Sequence, residues 1–257
     1  MSMLLIDAGN SRIKWASLSR GHLGRARAAP WNAATLAGTC RRIMAGAQRP
    51  TVIWVVSVAG ARVQRALRAA ARKRAWPAPR FVHSAGYTAG VANGYRRPAQ
   101  LGVDRWLALL AVRAAYPGEA ACVVSLGTAI TVDLLDADGR HRGGAIAPGA
   151  ALMAASLLQG TALLRQRARA PSGRTASMFA RDTRAAIGTG TRHAATALVA
   201  EAFAQARART GEATRLILTG GAARDLQTSL RRRRDLAPAV RVDDLVLRGL
   251  AVLAREK

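Results

Sequence analysis

Two short stretches, far apart in the chain, carry the same design. In Leu4-Leu5-Ile6-Asp7-Ala8-Gly9-Asn10-Ser11-Arg12-Ile13-Lys14-Trp15 an apolar run ends on a carboxylate, turns at Gly-Asn and resumes as alternating residues. That is the pattern of a β-hairpin. Cys122-Val123-Val124-Ser125-Leu126-Gly127-Thr128-Ala129-Ile130-Thr131-Val132-Asp133 repeats it, with 118 residues separating Gly9 from Gly127 and Asp7 from Ser125. A repeat at that spacing implies two half-molecules, each near the common size of a domain. The breaker-rich Pro117-Gly118-Glu119 sets the division at residues 1–117 and 118–257.

The residues at the turns suggest what they hold. Gly9 and Asn10 are expected to supply left-handed backbone, with the turn amides converging into a concavity suited to an anion. Asn10 and Ser11 add neutral donors, Lys14 a cation, and Asp7 a hard oxygen for Mg2+ beside a polyphosphate. Taken alone, the stretch fits an ordinary surface hairpin with a solvated lysine equally well. The second copy favours phosphate, because Gly127-Thr128-Ala129 offers hydroxyl and amide donors without positive charge. Between the hairpins, residues 95–106 read as a loop leading into an apolar helix over 107–115. Asp104 then falls near the helix N-terminus, where it serves either as a helix cap beside a surface arginine or as a charged group for a ligand.

Two α/β halves, each opening on a phosphate-binding hairpin, resemble the actin-like ATPase and sugar-kinase superfamily. Within it, the chain resembles the type III pantothenate kinases, a family that includes proteins named Bvg accessory factor. The residues that carry the likeness are Asp7-Ala8-Gly9-Asn10-Ser11 through Lys14, Gly102-Val103-Asp104-Arg105, Gly127-Thr128-Ala129-Ile130-Thr131-Val132-Asp133, Gly143-Gly144-Ala145-Ile146-Ala147-Pro148-Gly149 and Thr219-Gly220-Gly221. They come in the family's order and span nearly the whole chain.

The resemblance implies two ribonuclease-H-like domains, each a mixed sheet flanked by helices, with an inter-domain nucleotide cleft. It implies ATP-dependent phosphorylation of pantothenate to 4'-phosphopantothenate, the first step of coenzyme A biosynthesis. Asp104 becomes the general base, while Tyr95, Gly102, Val103, Arg105 and Thr183 line the pantothenate site, with Thr183 supplied across a homodimer interface. Asp7, Gly9, Asn10, Ser11, Arg12, Lys14, Gly127, Thr128 and Thr131 hold the phosphates, Asp7 also taking Mg2+, and Gly220 and Gly221 lie against the adenosine. Relatives commonly carry an aspartate, associated with binding K+ or NH4+, where this chain has Ser125, so a monovalent cation is expected from the family and placed in doubt by the serine.

Composition bears mainly on the rival readings. The chain has 40 basic and 14 acidic residues and a formal charge of +26, which attracts polyanions and suits a transcriptional accessory factor that has kept the fold without the activity. Only Lys14, Lys73 and Lys257 are lysines, however, and the arginines are spread through an alanine-rich chain with few aromatics. That pattern is compositional bias, not a nucleic-acid readout. A third reading, an actin-like assembly subunit, has no use for the Gly102-Val103-Asp104-Arg105 pocket. Cys40 and Cys122 are too few for a disulfide or zinc framework and read as buried small hydrophobes, and the four histidines, His141 among them, read as structural or solvated. No apolar run reaches membrane-spanning length and no secretory leader is visible, so a cytoplasmic location is expected.

Elsewhere the pattern gives a third antiparallel strand over 21–29, helices over 34–47 and 63–75, and a buried parallel strand over 51–57. Asp136-Ala137-Asp138-Gly139 reads as a solvated turn into a strand over 141–146. A helix follows over 150–158, then a basic loop over 165–174. Two helices are expected in 175–209 with a bend near Gly188 and Gly190. A core strand over 216–218, a helix over 222–233, a strand over 240–242 and a last helix over 243–254 complete the second half.

Overall fold

The computed structural model describes residues 2–45, 48–167, 177–224, 226, 230, 233–236 and 239–256. It falls into two compact units, and these do not follow a single cut of the chain. One gathers Met1–Gly118, Asp138–Arg142 and Asp244–Lys257; the other gathers Glu119–Ala137 and Gly143–Asp243. The last helix, expected to complete the second half, therefore belongs to the first unit.

The first unit is built on strands β1 (Ser2–Ala8), β2 (Arg12–Ser19), β3 (His22–Leu23), β4 (Arg27–Pro30), β5 (Val52–Ser57) and β6 (Arg80–Phe81), in the order β3-β2-β1-β5-β6 with β4 also paired to β2. β1 and β2 are antiparallel, and β1, β5 and β6 run parallel. Helices α1 (Leu36–Ala45) and α2 (Gly60–Lys73) cover one face, where Cys40, Ile43, Val63 and Leu67 meet Leu4, Ile6, Ile13 and Ile53. The buried side of α2 repeats every four residues, Val63, Leu67 and Ala71, which leaves its arginines outward. A two-stranded ribbon, β7 (Tyr87–Thr88) with β8 (Val91–Ala92), leads into α3 (Val103–Ala115). Leu4, Leu5 and Ile6 are all buried, as expected for a parallel strand with helices on both faces.

The second unit repeats the plan. Strands β9 (Ala121–Leu126), β10 (Ala129–Leu135), β11 (His141–Pro148), β12 (Arg215–Thr219) and β13 (Ala239–Arg241) lie in the order β11-β10-β9-β12-β13, with β9 and β10 antiparallel and β9, β12 and β13 parallel. Each sheet is thus a hairpin extended by two parallel strands on one side and by further pairing on the other, with β3 and β4 in the first unit and β11 in the second. Helices α4 (Ala150–Gly160), α5 (Ala162–Arg167) and α6 (Thr183–Thr210) follow β11, and Val199, Phe203 and Ala206 of α6 pack on Cys122, Val124 and Leu126 of β9.

Three expectations change. The stretch over 175–209 is not two helices: from Thr183 the described part is one continuous helix through Gly188 and Gly190. Asp182 caps its start by accepting the Ala185 amide at 2.8 Å, and α4 packs along it. Two glycines weaken a helix by about 1 kcal/mol each, which these contacts offset. The basic stretch expected as loop is helical as far as 167, and its continuation, like half of the residues of the helix expected over 222–233, lies outside the described residues. Asp136, expected on a solvated turn, is only 7% exposed.

The last helix, α7 (Leu245–Arg255), returns to the first unit and packs on α3. A side chain on Gly249 would overlap the Leu107 carbonyl oxygen, so the two helices meet at backbone distance. Burial pushes the Cys40 thiol up to about 11 and the Cys122 thiol up to about 12, the latter helped by Asp133, so both are unreactive core groups. Among the described residues no helix is long and apolar enough to cross a membrane.

Candidate active site

The β1-β2 register sets Asp7 directly opposite Lys14, one pair in from the turn of the first hairpin. The turn closes when the Gly9 N–H donates to the Arg12 carbonyl at 3.1 Å, and Trp31 braces it by donating its indole N–H to the Gly9 carbonyl at 2.8 Å. Neither Gly9 nor Asn10 has positive φ, so the left-handed backbone expected there is absent. Gly9 matters through space instead: a Cβ would come within 3.3 Å of the Arg12 carbonyl oxygen. Asn10, Ser11 and Arg12 are exposed at the tip.

Around Asp7 the first unit assembles three carboxylates and one ammonium. Its carboxyl is raised from the ordinary 3.8 to about 7, first by loss of water on burial, then by the negative charges of Asp104 and Asp244, while Lys14 opposes the rise. The residue as a whole is half-buried, so desolvation dominates only because protein crowds the carboxyl itself. Lys14 donates to the Asp244 carboxylate at 2.9 Å, with about 30% of each side chain exposed. The reading from sequence missed Asp244, which lies 230 residues from Lys14. Asp244 precedes α7 at φ 57° with no capping hydrogen bond from its side chain. A non-glycine residue in that conformation is uncommon and costs of order 1 kcal/mol or more.

Asp104 stands in the first turn of α3, behind Gly102 as the residue before the helix. Its carboxylate accepts the neighbouring Arg105 amide at 2.9 Å, not the amide two or three residues on that a capping aspartate takes. A Cβ on Gly102 would come within 2.7 Å of that same carboxylate, so a side chain there would displace the Asp104 carboxylate from its present position. Arg105 is buried at 5% exposure and donates to the Tyr95 hydroxyl at 2.8 Å. Asn93 holds the loop below, accepting the Tyr95 amide and donating to the carbonyls of Ala85 and Pro98. The structure thus gathers Asp7, Lys14 and Asp104 into one electrostatic cluster, with Arg105 and Tyr95 next along α3 and its leading loop.

In the second unit the turn of hairpin β9-β10 is held by backbone packing. Gly127 donates its N–H to the Ala129 carbonyl at 3.0 Å, and Gly149 donates to the Thr128 carbonyl at 2.8 Å. A Cβ on Gly149 would overlap the Gly127 and Thr128 carbonyls, and one on Gly220, where φ is 95°, would overlap the Leu126 carbonyl. The Gly143–149 passage and the Gly220-Gly221 corner therefore meet at the same turn, while Gly221 itself faces open space. Ser125 pairs with Thr131 on one side and Thr219 on the other. Thr183, at the first position of α6, also lies in this unit. A separate cavity of about 640 Å³, lined in part by Ser2, Trp15, Ser17, Arg25 and Arg27, opens at the other end of β1 from the Gly9 turn and includes none of the expected site residues.

Among the described residues no group of three or more His, Cys, Asp or Glu side chains could hold a metal ion unaided, so a cation at Asp7 would rely on the substrate and water for its other ligands. Mg2+ is commonly held through one or two carboxylates together with substrate phosphates and water, and a carboxyl raised by desolvation and like charge gains from a neighbouring cation. Asp7 offers an oxygen of that kind, with Lys14 opposite it in the strand register.

The chain is similar to known kinases over its length. The family profile described as type III pantothenate kinase matches residues 3–205. A type III pantothenate kinase from Aromatoleum aromaticum is 41% identical over 257 residues, covering 99% of this chain and 98% of that one. Among solved structures, a conserved Baf family protein of Campylobacter jejuni, described as a candidate transcriptional activator, is 19% identical with a TM-score of 0.59, covering 98% of each chain. A ROK family glucokinase from Streptomyces griseus, solved with glucose and AMPPNP, is 11% identical with a TM-score of 0.53, covering 100% of each. At such identity the solved structures speak for the fold alone, that of the actin-like ATPases and sugar kinases.

Proposed function

The chain belongs to the type III pantothenate kinase family, and from that premise we propose that it transfers the γ-phosphoryl group of ATP to the primary hydroxyl of pantothenate, giving 4'-phosphopantothenate for coenzyme A synthesis. One observation carries the assignment of roles. Asp104 is near enough to Asp7 to raise its proton affinity, and the next residue, Arg105, is a buried cation held by Tyr95. A base, a phosphate-side acid and a carboxylate-binding cation thus occur together.

Asp104 accepts the hydroxyl proton as the alcohol attacks in line, and Arg105 with Tyr95, Gly102 and Val103 orients pantothenate by its carboxylate. Asn10, Ser11, Arg12 and Lys14 from the first turn, and Gly127, Thr128 and Thr131 from the second, steady phosphate oxygens. Asp7 holds Mg2+, which when bound neutralises phosphate charge. Gly220 and Gly221 leave the backbone bare for the adenosine, a reading supported by the open space at Gly221. Exclusion of water by these groups favours transfer to the alcohol over hydrolysis.

The test is a coupled ADP-release assay with pantothenate against pantothenyl alcohol, which keeps the primary hydroxyl and lacks the carboxylate. Pantothenate is expected to have a kcat/KM at least about tenfold higher, the value of a charge-assisted hydrogen bond. Equal values for the two would refute Arg105 as the carboxylate clamp.

Ser125 offers a hydroxyl and no charge, so activation by K+ or NH4+ is expected to be shallower than in relatives with an acid at this position. A rate that collapses on replacing K+ with a large organic cation would contradict this. We assign the homodimer contact, with Thr183 reaching the partner's acceptor site, to the second unit. Support comes from Ile146, Leu163, Met178 and Phe179, which are 64, 62, 55 and 86% exposed. A cytoplasmic location is part of the same proposal.

A further inference from the structure

His141 belongs by chain order to the second half, yet its segment, Asp138–Arg142, joins the first unit. Two close backbone approaches bring it there. The Ala92 amide donates to the Gly139 carbonyl at 2.9 Å, and Ala92 bridges to Arg140 in parallel. Two residues on, a Cβ at Gly94 would overlap the His141 carbonyl oxygen. With that approach fixed, the His141 ring lies against the Tyr95 ring, centroids 5.7 Å apart and planes 18° from parallel. His141 is 2% exposed, whereas Tyr95 remains half-buried. The imidazole is therefore the inner wall on which the tyrosine rests.

The consequence follows from what Tyr95 does. Its hydroxyl accepts from Arg105 at 2.8 Å, and the guanidinium carbon lies 5.5 Å from the centre of the same ring. A tyrosine on a loop has a rotatable ring, and a guanidinium bound to a wandering hydroxyl loses the fixed fork that recognises a carboxylate. A stacked partner stops that motion, such pairs being worth about two- to tenfold in an equilibrium beyond burial.

We infer that His141 is a positioning residue for the acceptor site: stacked beneath Tyr95, it fixes the hydroxyl that orients the Arg105 guanidinium, and so sets the enzyme's selectivity for a carboxylate-bearing alcohol. The inference rests on the reading of Arg105 as the group that meets the pantothenate carboxylate. It predicts an effect on one substrate only.

Steady-state kinetics of the full chain test it with His141→Ala, His141→Phe, Arg105→Ala and the Tyr95→Ala pair. His141→Ala is expected to raise the KM for pantothenate about tenfold, the upper end of an aromatic pair, with the KM for ATP unchanged. His141→Phe, which retains a stacking ring and guards against loss of fold, is expected to restore most of the affinity. In a Tyr95→Ala background the His141→Ala change is expected to add under about twofold, because the two act through one contact. Arg105→Ala raising the KM for pantothenate while both His141 variants leave it unchanged would overturn the inference and leave the acceptor-site reading intact. An unchanged KM in Arg105→Ala would overturn both. A His141→Ala loss that falls equally on both substrates and is not recovered by Phe would reduce His141 to core packing, and so overturn the inference.

Discussion

Asp104→Asn is expected to lower kcat by about 10²- to 10⁴-fold, the usual contribution of a positioned general base, while the affinity for ATP changes little. Asparagine fills the same volume in the first turn of α3 and can still accept the Arg105 amide that the carboxylate accepts at 2.9 Å. The geometry around Gly102 therefore survives, and only the proton acceptor is removed. In a largely dissociative phosphoryl transfer the proton leaves late, so alignment contributes much of the rate and the loss falls toward the lower end of that range. Single-turnover rates and nucleotide binding, measured on the same preparation, check it. A variant turning over within twofold of the parent would remove Asp104 from the chemistry.

Asp7→Asn is expected to act in opposite directions on activity and stability. Activity falls by 10²-fold or more, because the hard oxygen beside the phosphates is lost. Stability without Mg2+ rises, because the fold carries an unfavourable carboxylate. The Asp7 carboxyl is raised from 3.8 to about 7 in the folded chain, so the folded state binds this proton more tightly than the unfolded one. The penalty is absent below the unfolded value near 3.8, grows as pH rises and is complete above about 7. Its upper bound is about 4 kcal/mol, and solvent reaching the half-buried residue lowers it. Melting in EDTA should therefore show the variant and parent nearly level at pH 4, and the variant more stable by several degrees at pH 8. A variant less stable than the parent at pH 8 would mean that Asp7 is anchored by favourable contacts and not crowded by Asp104 and Asp244.

Those two residues mark where the sequence was legible and where it was not. The hairpin at Asp7 could be read because strand alternation and a glycine turn are local signals, and its copy at Ser125 through Asp133 announced the duplication. Asp104 and Arg105 stand together in the chain, so their joint role could be framed before any fold was known. Asp244 could not be found that way. It reaches Lys14 only because α7 returns to the first unit, and its one local trace is a second aspartate where a helix begins, which reads as an ordinary cap. His141 was hidden for the same reason: a lone histidine beside a strand carries no sign of the ring it will meet. Gly188 and Gly190 misled in the other direction. Their propensity signals a break, but the Asp182 cap and the packing of α4 along α6 outweigh it. At Gly9 the choice of glycine was visible and its cause was not, since the constraint is crowding by the Arg12 carbonyl instead of a left-handed backbone.

The central claim is that phosphate leaves ATP for an alcohol chosen by its carboxylate. Phosphorus NMR of the reaction with purified protein, ATP, Mg2+ and pantothenate follows that atom directly. The account predicts a phosphomonoester at the primary hydroxyl of pantothenate, appearing in step with ADP. ADP accompanied only by inorganic phosphate, with pantothenate unchanged, would contradict it.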